Sequence, residues 1–381
     1  MKKFIVIASL VVVTSAVSAQ SQQAARRPGA LSVDLATQIT QGWAFLAQGL
    51  FDDAYRSADA ALRVDALNPS ALALAIEVEI ARAGATPALD RYEQWLGSRV
   101  AESPYILRRV ARAVLWEAAR SESASARADA LSALVADGDA EAAMELSAGL
   151  AQGNPVDVAT MAKLGSEEAV RKLMADLATN PPNALALVRA LAASKRPEAA
   201  PSLIALLGDS RIDLRAEAAG GLGRLGNREA IAALKPLLTD MYPLVRLNAA
   251  ASLALLDDAS GSAVLREFED SEHDGVRIGA VQAMASRPDA SWQGRVRQLM
   301  DSQDPVVSIN AAVLLAPHDP QAARAVMERY RGASNPAVRE AAERALSGEI
   351  ASDFPTLRAY LRAGDSALRV KAGSRILTLS R

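Results

Sequence analysis

The stretch LRAEAAGGL, at residues 214–222, recurs five more times with the same pattern before residue 381. The other copies are VRLNAAASL (245–253), VRIGAVQAM (276–284), VSINAAVLL (307–315), VREAAERAL (338–346) and LRVKAGSRI (368–376). Successive copies start 31 residues apart, except the last pair, which are 30 apart. A period in this range is typical of stacked supersecondary units, so the sequence predicts an array rather than one closed globule.

Each copy has the pattern of an amphipathic helix. An aliphatic residue precedes an arginine (a serine in one copy), an alanine follows three positions later, and a bulky apolar residue follows after seven. These positions share one helical face, which we expect to pack inward. Residues of the AVILMFWYC set make up 50% of the chain but aromatic residues only 4%. Because alanine and leucine, which favour helices, dominate the apolar set, the predicted fold is all-α.

These segments resemble HEAT repeats, in particular the short bacterial type that also occurs in phycobilisome lyases. The resemblance implies a right-handed α-solenoid of stacked helical hairpins. Six copies are clear from residue 205, and weaker upstream copies extend the predicted array to about nine units over 127–381. Each repeated helix is followed by a predicted second helix, for example at 228–238, 261–269, 290–300, 320–330 and 354–361.

The region 31–120 has a different pattern. Gly49, Phe51 and Ala54, followed by Asn68-Pro69, resemble a degenerate tetratricopeptide repeat, and a glycine and a proline recur at an offset of 35 residues. This region is therefore predicted to form tetratricopeptide-like helical hairpins. The polar segment 121–126 is the predicted junction with the HEAT array.

The first nineteen residues have the pattern of a secretory signal: Lys2 and Lys3, an apolar stretch, and small residues that end at Ala19. Cleavage is predicted after Ala19, and residues 20–30 are then predicted to form a flexible lead. The cleaved protein is predicted to have no transmembrane segment and to be exported to the periplasm. Removal of the two lysines changes the formal net charge from −2 to −4, which does not favour nucleic-acid binding. The chain has no cysteine, so disulfides cannot stabilise it.

The recurring arginines are interpreted as structural. In HEAT repeats such an arginine pairs with acidic groups or carbonyls of neighbouring turns, so the resemblance implies a ladder along the stack. Asp209 and Asp240, each six residues before an arginine, fit this role, and Ser308 leaves a gap. The predicted structural positions are Arg215, Arg246, Arg277, Arg339 and Arg369.

The sequence does not favour catalysis. Its two histidines, His273 and His318, lie in different repeats beside acidic turn residues, and no nucleophile or phosphate-binding motif occurs. The glycines from Gly220 to Gly226 are interpreted as sites of close helix packing. We therefore predict no catalytic residue, no cofactor and no metal site, and a protein that is not an enzyme. Phycobilin lyases share the repeat class, but an exported chain without a distinctive catalytic segment does not favour pigment attachment.

The predicted function is that of an exported scaffold or adaptor that binds an unidentified protein or peptide along the solenoid groove. The alternative is an accessory subunit of a cell-envelope enzyme or of a polysaccharide- or peptidoglycan-related assembly. In HEAT solenoids the second helices usually line the concave face, and residues 285–381 carry four more basic than acidic residues. Arginine and aromatic residues are common interface anchors. The candidate partner-binding residues are Trp292, Arg295, Arg297, Arg324, Arg329, Tyr330, Arg331, Arg358, Tyr360 and Arg362.

Overall fold

The computed structural model describes residues 31–97, 101–269, 271–285, 292–349 and 353–381. These residues form 22 α-helices and five short 3₁₀ segments, with no strand among them. The prediction of an all-α fold of stacked helical hairpins is confirmed. The described residues form two compact units, 31–117 together with 373–381, and 118–372. The predicted signal peptide and lead, at 1–30, lie outside the described residues.

The first unit is built on five consecutive helices. They are α1 (Leu31–Ala47), α2 (Phe51–Val64), α3 (Pro69–Ala83), α4 (Ala85–Leu96) and α5 (Pro104–Ala119). The side chain of Asn68 caps α3 by accepting hydrogen bonds from the backbone N–H groups of Ser70 and Ala71, both at 3.1 Å. Gly84 ends α3 with a φ of +95°, a conformation that favours glycine. Asn68 and Gly84 thus mark the two ends of α3.

Residues 373–381 complete the first unit by packing on α5. The Arg108 guanidinium donates to the carbonyl of Leu377 at 2.7 Å and to Ser380 Oγ at 3.2 Å. A Cβ atom at Gly373 would lie 3.2 Å from Leu115 Cγ, so the two backbones are close. The sequence pattern assigned 373–381 to the HEAT array, but in the structure these residues are part of the first unit.

The second unit contains eight helical hairpins followed by the start of a ninth first helix, whose residues from 373 onward belong to the first unit. The first helices are α6 (Ala124–Ala136), α8 (Pro155–Lys163), α10 (Ala184–Ala193), α12 (Ile212–Leu225), α14 (Pro243–Leu255), α16 (Asp274–Ala285), α18 (Pro305–Leu315), α20 (Pro336–Glu349) and α22 (Ser366–Leu379). The second helices are α7 (Ala140–Gln152), α9 (Glu167–Ala178), α11 (Ala200–Ala205), α13 (Ile231–Leu234), α15 (Ser262–Glu269), α17 (Trp292–Met300), α19 (Pro320–Arg331) and α21 (Phe354–Tyr360).

Several second helices are less regular than the pattern predicts. The segment predicted as a helix over 228–238 is a 3₁₀ turn, the short α13 and a second 3₁₀ turn over Lys235–Thr239. Pro236 lies at the start of that last turn, and proline lacks the N–H that a continuous α-helix would use. The second helices therefore range from 4 to 13 residues and several are flanked by 3₁₀ turns, whereas the first helices are continuous α-helices of 9 to 14 residues.

The first helices form a closely packed layer. The repeated alanine is buried in every copy, with an exposed fraction of 0% in five and 1% in Ala372, as predicted. A Cβ atom at Gly221 would lie 2.9 Å from the Cβ of Ala192, and one at Gly223 would lie 2.6 Å from the Cα of Ser252. Ser252 Oγ donates to the carbonyl of Ala219 at 2.7 Å, so α14 is hydrogen-bonded to α12 as well as packed against it. Successive second helices approach one another less closely in this region.

Candidate interaction surface

The arginines at the repeated position bind the turns that precede the first helices. Arg215 donates to the carbonyl of Asp209 at 2.6 Å and pairs with the carboxylate of Asp240 at 3.1 Å, in the next repeat. Arg246 in turn donates to the carbonyl of Asp240 at 3.0 Å and lies 3.6 Å from a carboxylate oxygen of Glu267. The turn at Asp240 thus accepts hydrogen bonds from the arginines of two successive repeats, which is the ladder of contacts that the resemblance to HEAT repeats implies.

The later copies use the same position in related ways. Arg339 donates to the carbonyl of Ala333 at 2.6 Å, and Arg369 donates to that of Leu361 at 3.1 Å. Ser308, which stands in place of the arginine, is buried and donates to the carbonyl of Met300 at 2.5 Å. The expected gap is therefore occupied by a shorter side chain that also bonds to a carbonyl. Arg277 lies at the equivalent position of α16 and is partly buried.

The candidate partner-binding residues of the second helices are named here the second-helix patch. Its aromatic residues pack against the protein. Trp292 is 4% exposed, belongs to the core and meets the ring of His318 edge-on, with 5.0 Å between ring centroids. Tyr330 packs against the same core. Burial raises the pKa of Tyr360 above its usual value near 10. These contacts assign the three rings at least a packing role.

Many of the arginines in the patch have acidic neighbours. Arg295 lies 3.5 Å from Glu269, Arg297 lies 3.1 Å from Asp319, and Arg324 lies 3.8 Å from Glu328. Arg331 also pairs with Glu328, at 3.5 Å. A partner that binds these cations must compete with carboxylates already in place, which reduces the net gain.

The remaining members of the patch differ in exposure. Arg358 is partly buried, whereas Arg329 and Arg362 are exposed. Within the described residues, Arg329 makes no ion pair with a carboxylate. The structure thus places all ten candidate residues on second helices or just after them.

Hydrogen bonds stabilise the ionised form of two turn carboxylates. Hydrogen bonds from the side chain and backbone N–H of Arg211 lower the pKa of Asp209 to about 2. The pKa of Asp319 is also lowered, first by the backbone N–H of Ala322 and then by Arg297. Both carboxylates are therefore charged at neutral pH and act as structural acceptors.

The residues considered for chemistry do not converge on a site. His273 and His318 are both exposed and lie in separate turns. Gly221 and Gly223 face neighbouring helices at short distance, as expected for packing glycines, whereas Gly226 ends α12 with a φ of +72° and has no neighbour within 4 Å of an added Cβ atom. The described side chains form no group of three acidic or histidine residues suited to a metal ion. Within the described ranges, none of the helices combines the length and apolarity needed to cross a membrane.

Two shallow depressions lie on the second unit. One of about 590 Å³ is bordered by Pro197, Gly226 and Arg228, and one of about 240 Å³ by Gly153 and Leu173. Both are open to solvent.

The structure also reveals exposed apolar residues that the sequence patterns did not single out. Leu244 is 52% exposed, Leu255 is 48% exposed and Val306 is 53% exposed. All three lie on first helices, on the side that faces away from the buried alanines. The signal in the sequence is the absence of charge at these positions in the middle repeats, but only the structure shows that they are exposed.

Comparison with known proteins identifies the repeat type. Residues 168–254 match the family model of HEAT repeats, which confirms the predicted repeats in this part of the chain. No curated protein sequence matches the chain.

Three solved structures are similar to this chain at low sequence identity. A chain from the complex of CpcE and CpcF of phycocyanin lyase from Nostoc sp. PCC7120 is 18% identical, with a TM-score of 0.38, over 72% of this chain and 94% of that one. Human deoxyhypusine hydroxylase, in complex with glycerol, is 18% identical with a TM-score of 0.31, over 59% and 88%. An engineered protein is 20% identical with a TM-score of 0.30, over 91% and 98%. We infer no function from similarities this low.

Proposed function

We propose that this protein is an exported, non-enzymatic scaffold that binds a protein or peptide partner through its helical repeats. The observation that carries the proposal is the HEAT-repeat match at 168–254, set within a longer array of helical hairpins that continues to residue 372. Arrays of this kind present wide surfaces on which successive repeats add contacts. The proposed export rests on the pattern of Lys2, Lys3 and the apolar stretch that follows.

The paired side chains support binding rather than catalysis as the role of the repeats. The carboxylates of Asp209, Asp240 and Asp319 accept hydrogen bonds from arginines or backbone N–H groups and hold neighbouring turns together. A carboxylate used as a general base needs access to a substrate proton, and these groups are occupied by donors.

The proposal is tested by crosslinking the protein in the exported fraction, recovering it and identifying the attached proteins by mass spectrometry. We expect one protein partner to be retained reproducibly, and the recovered chain to begin at Gln20. Recovery of a chain that still carries residues 1–19 contradicts the proposed export, and the absence of a reproducible partner contradicts the scaffold function.

The predicted second-helix patch is tested in the same experiment with Arg295→Glu, Arg297→Glu and Arg329→Glu combined. Loss of the partner, with an unchanged helical circular dichroism spectrum, assigns binding to these residues. Retention of the partner moves the binding site elsewhere on the array.

A further inference from the structure

The outward faces of three consecutive first helices carry no charged residue. In α14 the face is formed by Leu244, Asn248, Ala251 and Leu255, which lie four, three and four residues apart. The equivalent positions of α16 and α18, one and two repeats later, are Gly275, Gly279, Gln282, Val306, Asn310 and Val313. Leu244, Leu255 and Val306 are each about half exposed on this face, so apolar side chains without neighbouring charge are available there for contact with a partner.

One position of this face carries a different type of side chain in most repeats, charged at the two ends of the series and uncharged between them. It lies immediately before the invariant alanine, and its residues from α12 to α22 are Glu217, Asn248, Gly279, Asn310, Ala341 and Lys371. Glu217 is bound by Arg189 at 3.2 Å and by Arg224 at 2.6 Å, so the α12 end is charged but internally paired. Lys371, at the other end, is exposed and donates to the carbonyl of Arg344 at 3.5 Å; no carboxylate pairs with it among the described residues.

The two asparagines offer amide groups at equal positions two repeats apart. The side chain of Asn248 donates one hydrogen bond to the carbonyl of Ala216 at 2.8 Å, which fixes the amide and leaves its oxygen available. Asn310 has no hydrogen-bond partner in the described parts of the chain. Gly279 lies between them, so no side chain stands between the two amides. Such a row suits a partner backbone, whose N–H and C=O groups need donors and acceptors at regular intervals.

We propose that this face, named here the α14–α18 strip and formed by the ten residues given above, binds an extended segment of a partner protein. This inference rests on the proposed scaffold function and specifies its site. The segment is uncharged and partly apolar where it crosses the strip, and it carries an acidic residue that reaches Lys371. Neighbouring packed helices are about 10 Å apart, so the asparagines are separated by about 20 Å, or about six extended residues. Lys371 lies two first helices beyond Asn310, at about the same distance again. The acidic residue of the segment is therefore placed about six residues beyond the part that contacts Asn310.

Two glycines provide a matched pair of variants for the test. A Cβ atom at Gly275, on the α14–α18 strip, would meet no atom within 4 Å, and the same holds for Gly294 on the second helix α17. Both residues lie in helices and are exposed. Gly275→Trp and Gly294→Trp therefore add the same bulk to a first helix and to a second helix, at positions where the new Cβ atom has open space.

The experiment selects a displayed library of random linear peptides, about 15 residues long, against the full chain. We expect enriched peptides with an uncharged, partly apolar stretch and an acidic residue about six positions away. Their affinity, measured by fluorescence anisotropy, should fall at least about tenfold with Gly275→Trp and stay within about twofold with Gly294→Trp. Lys371→Glu should weaken the same peptides, and a peptide whose acidic residue is replaced by lysine should recover affinity for that variant.

Peptides that resist Gly275→Trp, or a selection that yields no such peptide, overturn the assignment of the α14–α18 strip. Peptides lost with Gly294→Trp instead place binding on the second helices. In either case a protein partner retained in the crosslinking experiment leaves the scaffold function standing, so the two proposals fail separately.

Discussion

The first and second helices of the 118–372 unit differ in regularity and in the charge that they carry on their exposed faces. The first helices keep a fixed motif, pack against one another through alanine and glycine, and leave an uncharged outer face between α14 and α18. The second helices vary in length and regularity, and their conspicuous arginines pair with carboxylates such as Glu269 and Asp319. Conspicuous charge is therefore a poor guide to free binding groups in this array, because the charges are used in holding turns and repeats together.

The largest expected effect tests whether first-helix arginines are structural. Arg215 is 12% exposed and its partner Asp240 is 14% exposed, so Arg215→Met leaves a nearly buried carboxylate without its cation. We expect a loss of about 3 kcal/mol in the free energy of unfolding, measured by urea denaturation.

The matched change on a second helix is Arg297→Met, because Arg297 is 50% exposed in its pair with Asp319. A surface pair of this kind contributes at most about 1 kcal/mol. Equal losses in the two variants would contradict the distinction between the two sets of arginines.

Replacing a glycine by alanine should destabilise the protein on a first helix and stabilise it on a second helix. Gly223→Ala places a Cβ atom 2.6 Å from the Cα of Ser252, and we expect it to destabilise the protein by about 2 kcal/mol. Gly294→Ala has open space and should stabilise by up to about 1 kcal/mol, since alanine is the better helix former. Thermal melting followed by circular dichroism measures both, and a stabilising Gly223→Ala would show that the first-helix layer can spread.

Acid should weaken the turns before the first helices. The pKa of Asp209 is lowered to about 2 in the folded protein, whereas an unfolded aspartate titrates near 4. The stabilisation from Asp209 is therefore fully present above about pH 4 and is lost as the pH falls towards 2. The melting temperature of Asp209→Asn should lie below that of the unchanged protein at pH 6, and the difference should shrink as the pH falls from about 4 to about 2. A difference that is constant over this range would exclude the ionised carboxylate as its source.

The smallest expected effect concerns an exposed second-helix cation. Arg329→Ala removes an exposed side chain that makes no ion pair with a described carboxylate, so the free energy of unfolding should change by less than about 0.5 kcal/mol. A larger loss in urea denaturation would show that Arg329 contributes to packing as other members of the patch do.

The repeat pattern was sufficient to predict the helices but not the surface. A period of 31 residues located the first helices and the buried face from Leu214 to Leu222, because helix periodicity and alanine packing are local properties. The 3₁₀ turns around Pro236 were missed, since a proline is compatible with both a helix start and a short turn. The pairing of Arg295 with Glu269 depends on the distance between repeats, which no single repeat encodes. Leu244 and Leu255 have the apolar character of core residues, and only the packing of neighbouring helices shows that they are exposed.

The packing of residues 373–381 on α5 has a consequence for the order of folding. These residues leave the ribosome only after the whole of 118–372, yet they complete the unit that contains residues 31–117. The Arg108 hydrogen bond to the Leu377 carbonyl spans 269 positions in the sequence, and contacts of such long range form late. The unit that is synthesised first is therefore finished last. A chain that cannot close its first unit during synthesis therefore stays incompletely folded until residues 373–381 have emerged and packed on α5.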